Sequence, residues 1–167
     1  MPPNSATAAS NQPQRRHLTP NAMKNSGILI IDDQILFRVC LKCALEKMAG
    51  YHVVGQAATG RQGLQLTAEL GPDLILVDCN LPDMGGIALT RRIKALVPHS
   101  RVIIFGPAFK SECIRSASRV GAAGYFRKDC HLAVLLEGIV AVRNGQYFQN
   151  DQQAGAAGQR VFLFENF

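Results

Sequence analysis

No apolar run in the sequence approaches the ~18 residues that a membrane-spanning helix needs. The N-terminus also lacks the apolar core of a secretory signal, and large apolar side chains are almost missing from its first 24 residues. Acidic residues are absent there as well, so Arg15, Arg16 and Lys24 have no opposing charge nearby in the sequence. We therefore expect a cytoplasmic protein without membrane contact, in which residues 1–24 form a disordered N-terminal tail.

The five cysteines lack the closely spaced double pairs of a zinc site, and their number is odd. Cys40 and Cys43 form a C-x-x-C, but this motif falls within an amphipathic helical pattern, where a spacing of three also marks one helix face. We interpret the cysteines as reduced, mostly buried thiols rather than as a disulfide framework or a metal centre.

From Gly27 onward, short apolar runs alternate with longer amphipathic segments. The apolar runs are residues 28–31, 51–57, 73–78, 101–105 and 123–126, and the helical candidates lie near 34–49, 60–70, 85–97, 109–120 and 130–144. The runs are rich in aliphatic residues without strict alternation, which suits strands that are covered on both faces. Five strand-then-helix units predict an α/β fold with an open, doubly wound parallel sheet.

Charged side chains follow these strands at the edge where such sheets bind ligands. Asp32 and Asp33 follow the first strand, Asp78 ends the third, and Lys128 follows the fifth. Three carboxylates repel one another unless a cation joins them, and all-oxygen ligation suits Mg²⁺ better than zinc. A carboxylate beside Mg²⁺ and an ammonium can attack phosphorus, which predicts an aspartyl phosphate. The alternative is that these aspartates only cap the following helices.

Three segments resemble the signature blocks of response-regulator receiver domains: ILIIDDQILFR (28–38), DLILVDCNLPDMGGIALTRRIKAL (73–96) and GAAGYFRKD (121–129). The resemblance implies that residues 25–150 form a receiver domain. The implied fold is a flavodoxin-like three-layer sandwich with a five-stranded parallel sheet in the strand order 2-1-3-4-5. Residues 151–167 then form a linker and a short apolar C-terminal tail.

The same resemblance implies a role for each charged residue. Asp78 is the implied phosphoacceptor, and Lys128 pairs with the phosphoryl group. Asp32, Asp33 and Asp78 are the implied ligands of Mg²⁺, together with the backbone carbonyl of Asn80. The implied phosphodonor is a sensor histidine kinase. The receiver is then a regulatory module that assists phosphotransfer and its own dephosphorylation, rather than an enzyme.

The sequence departs from the family at the end of the fourth strand. Receivers carry a Ser or Thr there, whose hydroxyl binds the phosphoryl group, and the next residue offers a backbone N–H. A gapless alignment places Gly106 and Pro107 at these positions, so both donors are missing. Such charge-assisted donors are worth about 1.5–3 kcal/mol each. We expect altered switching, the alternative being a substitute hydroxyl such as that of Ser111.

Tyr125 matches the aromatic position that changes rotamer on activation in the family, and simple packing at a strand end is its alternative role. Lys128-Asp129 and the ending RNGQYFQN (143–150) resemble the receiver subclass that carries a DNA-binding helix-turn-helix. The 17 residues that follow Asn150 are too few for such a domain. DNA binding is therefore expected only if an output domain is missing from this chain.

Several functional hypotheses remain open. The first is a phosphorylated receiver acting on a downstream protein partner, for which the resemblance also allows a homodimer. The others are a pseudo-receiver that binds its partner regardless of phosphate, and the receiver part of a truncated transcriptional regulator. A haloacid-dehalogenase-like enzyme would need a second carboxylate two residues after Asp78, where Asn80 stands.

Overall fold

Strands and helices alternate along the chain in a computed structural model that describes residues 26–106, 111–150 and 159–162. The five alternating units are β1 (Ser26–Ile31), α1 (Ile35–Leu45), β2 (Tyr51–Ala57), α2 (Gly60–Leu70), β3 (Leu74–Asp78), α3 (Gly86–Leu96), β4 (Arg101–Gly106), α4 (Ser111–Arg119), β5 (Gly124–Arg127) and α5 (Leu132–Arg143). Two further strands follow, β6 (Tyr147–Asn150) and β7 (Gln159–Phe162). The predicted N-terminal tail, Pro107 and most of residues 151–167 lie outside the described residues.

The strands form one sheet in the order β2-β1-β3-β4-β5-β6-β7. The strands β1 to β5 run parallel to their neighbours in the predicted order 2-1-3-4-5, so that expectation is confirmed. β6 continues the parallel sheet beside β5, and β7 pairs antiparallel with β6. β6 was not predicted as a strand. The apolar end 161–167 has a strand-like composition, and β7 contains its first two residues, but the sequence did not predict that it joins the sheet.

The predicted boundaries of most elements agree with the structure to within about two residues, as expected for strongly patterned segments. The largest difference is at the end of α1, which was predicted to continue to residue 49. The helix ends at Leu45, and Met48 donates its backbone N–H to the Leu45 carbonyl in a tight turn. Gly50 then adopts a left-handed conformation with φ of 81°, which leads the chain into β2.

Two apolar clusters cover the two faces of the sheet. Residues one apart along a strand face opposite sides, so Ile28 and Ile30 pack with α1 and α5, whereas Leu29 and Ile31 pack on the side of α2, α3 and α4. The same alternation continues through β3, β4 and β5. These two buried layers give the predicted three-layer sandwich. Within the described residues, no helix is both long and apolar enough to cross a bilayer.

The expectation that most cysteines are buried was wrong. Cys40 and Cys43 are exposed on α1, and Cys79, Cys113 and Cys130 are half-buried; all five are free thiols. The buried side of α1 is formed by Leu41 and Leu45, four residues apart, and both cysteines of the C-x-x-C lie on the solvent side of the helix.

Glycines allow α2 and α3 to approach the sheet closely. A Cβ on Gly63 would lie 2.4 Å from Cδ1 of Ile31, which is the movable end of a side chain. A Cβ on Gly86 would lie 2.4 Å from the backbone carbonyl oxygen of Asp78 and 2.8 Å from Cα of Cys79. Because backbone atoms cannot rotate away, Gly86 fixes the packing of α3 directly behind the end of β3.

Gly86→Ala is therefore expected to lower the free energy of unfolding by about 1–3 kcal/mol, because the added methyl group overlaps backbone atoms. Gly85→Ala is the matched control, since nothing lies within 4 Å of a Cβ at that position. Urea denaturation of both variants checks the prediction. Equal stability of the two variants would contradict the close approach described above.

Candidate functional site

The ends of three strands bring charged side chains together at the carboxyl edge of the sheet. Asp32 directly follows β1, Asp78 is the last residue of β3, and Lys128 directly follows β5. β1 and β3 are neighbours, and β4 separates β3 from β5, so the long lysine side chain reaches across one strand. The parallel arrangement thus gathers residues that are 46 to 96 positions apart in sequence.

Lys128 binds two buried carboxylates at once. Its Nζ lies 2.7 Å from Oδ2 of Asp78 and 2.8 Å from Oδ2 of Asp32. The second oxygen of each carboxylate accepts a backbone N–H, from Asn80 at 3.2 Å and from Gln34 at 2.8 Å respectively. Neither of these bonds caps a helix, because the N-cap residues of α1 and α3 are Gln34 and Gly85 without a side-chain cap, so the capping alternative is wrong for Asp32 and Asp78. The other oxygen of each carboxylate is directed at the ammonium.

The electrostatics of this cluster favour a further cation. Burial raises the pKa of Asp78 above its usual range, although hydrogen bonds from Lys128 and Asn80 act in the opposite direction. Burial also lowers the pKa of Lys128, but its bonds to Asp32 and Asp78 outweigh this, so the pKa is raised and the ammonium stays charged. The single positive charge of Lys128 therefore balances only part of the negative charge of Asp32 and Asp78.

A cavity of about 330 Å³ opens beside this cluster. It is lined by Asp33, Gln34, Asp78, Asn80, Lys128 and Asp129. Carboxylate oxygens of Asp32, Asp33 and Asp78 lie within 4.8 Å of one another. Oδ2 of Asp32 is buried and, among the described residues, accepts no hydrogen bond beside its ion pair with Lys128. Such a set of oxygen donors fits a hard divalent cation such as Mg²⁺.

Gly106 and Tyr125 meet at the neighbouring strand ends. Gly106 ends β4, one residue after Phe105, which is the β-sheet partner of Asp78. The Tyr125 side chain is fully buried, and a Cβ on Gly106 would lie 1.8 Å from its hydroxyl oxygen. Sequence reasoning singled out both residues separately and missed their contact. The proposed substitute Ser111 is the first residue of α4.

Two supporting residues were also missed by sequence reasoning. Phe37 lies beneath the ammonium, with Lys128 Nζ 5.2 Å from the centre of its ring. Asp83 accepts the backbone N–H groups of Gly60 at 2.7 Å and Arg61 at 2.9 Å, which ties the loop after β3 to the start of α2. The P-D-M-G-G segment that contains Asp83 was a sequence signal for this loop.

Comparison with known proteins identifies the family. Residues 28–140 match the family model for the response regulator receiver domain. The chain belongs to the response-regulator receiver family. This receiver is 30% identical over 112 residues to the chemotaxis protein CheY of Thermotoga maritima, a match that covers 67% of this chain and 92% of CheY.

Longer relatives carry similar receivers. The nitrate/nitrite response regulator protein NarL of Escherichia coli (strain K12) is 33% identical over 119 residues, which cover 71% of this chain and 55% of NarL. This receiver therefore spans about half the length of that relative. The crystal structure of a two-component response regulator of the LuxR family from Aurantimonas sp. SI85-9A1 superposes with a TM-score of 0.69 and 32% identity, covering 72% of this chain and 86% of that one. Receivers are regulatory modules rather than ordinary enzymes.

The raised pKa of Asp78 makes the stability of this receiver depend on pH. The folded state holds the Asp78 proton more tightly than the unfolded chain does, so this carboxyl favours folding while protonated and loses that contribution as pH rises through its folded pKa. In the absence of divalent cations, Asp78→Asn is thus expected to be more stable than wild type near neutral pH, and the difference should shrink towards acidic pH. Urea denaturation between about pH 4 and about pH 7 measures this.

Asp33→Asn serves as the control, because Asp33 is an exposed carboxylate of the same cavity. Its substitution removes no buried charge, so it should change the free energy of unfolding near neutral pH less than Asp78→Asn does. A loss of stability in Asp78→Asn near neutral pH would show that its bond to Lys128 outweighs the burial of its charge.

Proposed function

We propose that this receiver accepts a phosphoryl group on Asp78 from a sensor histidine kinase, with Mg²⁺ as cofactor, and relays the signal through a protein–protein surface. The observation that supports it most directly is the position of Lys128, whose ammonium lies 2.7 Å from the Asp78 carboxylate at the edge of an acidic cavity. The cavity gives a donor access to Asp78, although the carboxylate is only 4% exposed.

In this proposal, the P–N bond of a phosphohistidine breaks while an Asp78 oxygen forms a bond to phosphorus, and the electron pair leaves with the imidazole. Lys128 exchanges its contact with the carboxylate for one with a phosphoryl oxygen and stabilises the charge there. Asp32, Asp33, Asp78 and the Asn80 carbonyl would hold Mg²⁺, which supplies further neutralisation of the phosphoryl oxygens. The same groups would assist attack by water on phosphorus, which breaks the P–O bond to Asp78, releases inorganic phosphate and returns the free carboxylate.

An apolar surface beside the cavity supports a protein phosphodonor. At the start of α1, the side chains of Ile35, Leu36 and Val39 are 65%, 77% and 48% exposed, and Leu132 at the start of α5 is 50% exposed. A phosphohistidine must come within bonding distance of Asp78, so its protein has to cover the surface around the cavity. Exposed apolar side chains at that place favour such a contact. We assign this surface to the histidine kinase.

The first test uses a small phosphodonor. Incubation with acetyl phosphate and Mg²⁺ is expected to add one phosphoryl group to the intact mass of wild type and none to Asp78→Asn. Lys128→Gln should be phosphorylated more slowly, because the transferring charge loses one cation. Circular dichroism establishes that each variant is folded. Absence of an adduct in folded wild type would instead support a binding module that works without phosphorylation.

A second test separates the kinase surface from the chemistry. Leu36→Asp should reduce phosphotransfer from phosphorylated histidine kinases of the source organism by about tenfold or more, equivalent to about 1.4 kcal/mol of lost contact. Its phosphorylation by acetyl phosphate should stay unchanged, because the cavity is intact. Leu96→Asp on α3, where the side chain is 49% exposed, is the matched control. Equal effects of both variants would refute the assignment of this surface.

A pseudo-receiver is the second candidate function, and Gly106 is the observation that favours it. No side chain is present at that position to contact a phosphoryl group, and Tyr125 fills the adjacent space.

The third candidate is the receiver part of a DNA-binding regulator. It is suggested by similarity to NarL and to the transcriptional activator protein ExaE of Pseudomonas putida. This chain spans 55% of the length of NarL and 57% of the length of ExaE. A longer reading frame that encodes a helix-turn-helix would support it. A homodimer and a cytoplasmic location stay predictions.

A further inference from the structure

The buried position of Tyr125 depends on the absence of a side chain at residue 106. Ile104 pairs with Tyr125 across β4 and β5, and Gly106 lies two residues further along β4, on the same face of the sheet. An ideal Cβ at residue 106 would lie 1.8 Å from the Tyr125 hydroxyl oxygen and 2.6 Å from Cζ. Non-bonded heavy atoms are best separated by about 3.5–4.0 Å, so the Tyr125 ring and any side chain at residue 106 exclude each other.

Tyr125 in this position connects the phosphoacceptor strand to α4. Its hydroxyl lies beside the thiol of Cys79, the residue that directly follows Asp78. Its ring belongs to the apolar cluster that contains Ala117 of α4, against which Cys113 and Ile114 of the same helix pack. The side chain is 0% exposed. The ring thus supports the inner side of α4 while its hydroxyl reaches the edge of the acidic site.

The resemblance to receivers implies that a Ser or Thr side chain at the end of β4 contacts the phosphoryl group and links it to the loop before α4. Residue 106 has none, and the space that such a side chain would enter or leave is already occupied by Tyr125. We propose that Gly106 locks Tyr125 in this buried position, so that the surface formed by β4, α4 and β5 is the same whether or not Asp78 is phosphorylated. A partner that binds this surface then binds it regardless of phosphorylation, so the proposed relay would use a different part of the receiver surface. This inference rests on the proposed function only for its statement about phosphorylation.

A double-mutant cycle tests the steric lock without any phosphorylation. Gly106→Ser should lower the urea midpoint of unfolding in the wild-type background, because the new side chain displaces the buried ring. In the Tyr125→Ala background the same substitution should have little further effect, because the space is empty. Gly85→Ser is the control, since a Cβ there meets nothing within 4 Å. Equal losses from Gly106→Ser in both backgrounds would overturn the lock.

Tyrosine NMR tests the consequence for signalling. The chain has three tyrosines, so ring ¹³C labelling gives few signals, and Tyr125→Phe assigns the relevant one. Beryllofluoride with Mg²⁺ is the phosphoryl mimic, and the backbone amides of Asp78 and Asn80 report its binding. With the mimic bound, the Tyr125 signal of wild type should stay unchanged. In folded Gly106→Ser, the signal should differ from wild type already without the mimic and should respond to its addition.

The outcomes separate the two proposals. A wild-type Tyr125 signal that moves when the mimic binds would overturn the constitutive surface even if the steric lock holds. If the amide signals of Asp78 and Asn80 do not change when the mimic is added, the phosphoacceptor proposal is refuted instead. In that case the double-mutant cycle and the Tyr125 signal of Gly106→Ser without the mimic still decide whether Gly106 locks Tyr125.

Discussion

The interaction on which the site depends is the contact of one lysine ammonium with two buried carboxylates. Asp32 and Asp78 are each almost inaccessible to solvent, and burying even one unpaired carboxylate is costly. Lys128 offsets the cost of burying the two carboxylates, because its Nζ lies within 2.8 Å of an oxygen of each. The balance remains incomplete, since burial still raises the pKa of Asp78. A site with unsatisfied negative charge and an adjoining cavity is suited to bind a cation and an electrophilic phosphoryl group.

This contact exists because the sheet is parallel and open. The carboxyl ends of β1, β3 and β5 lie at one edge, so a residue after each strand contributes to the same site. α1 and α5 flank the lysine on one face, where Phe37 packs below its ammonium. The scaffold also holds α3 close behind the end of β3, because Gly86 lets the helix approach the Asp78 carbonyl. Rigid elements therefore position every charged group of the site.

Tyr125 lies near the same carboxyl edge of the sheet, but on the opposite face from Phe37. It shares the apolar cluster with α3 and α4, whereas Lys128, three residues later, takes part in the charged site. The short segment 124–128, which is β5 and the residue after it, thus contributes one residue to the charged site and another to the apolar packing. This receiver combines the charged cluster of Asp32, Asp78 and Lys128 with a glycine at residue 106, which leaves the neighbouring space to Tyr125. Under the two proposals, phosphoryl chemistry at Asp78 and a change of the α4 surface are separable properties.

Much of this architecture follows from the sequence alone. The aliphatic runs and amphipathic segments predict the α/β sandwich, since apolar periodicity reports which faces are buried. The spacing of Asp32, Asp33, Asp78 and Lys128 relative to those runs predicts one shared edge, because parallel strands end together. Both predictions, the sandwich and the shared edge, use patterns that each extend over no more than about twenty consecutive residues. The resemblance to receivers added the order of the strands and the roles that remain proposals.

Other features depend on contacts between distant segments, which local patterns do not encode. The strands β6 and β7 were not predicted as parts of the sheet, since their place in it depends on pairing with β5 and with each other. The exposure of Cys40 and Cys43 depends on which side of α1 packs on the sheet. The contact of Gly106 with Tyr125 required the register of β4 against β5, because only that register places the two residues together on one face. The sequence by itself determined the fold and the charged site; the tertiary structure decided how the space around that site is filled.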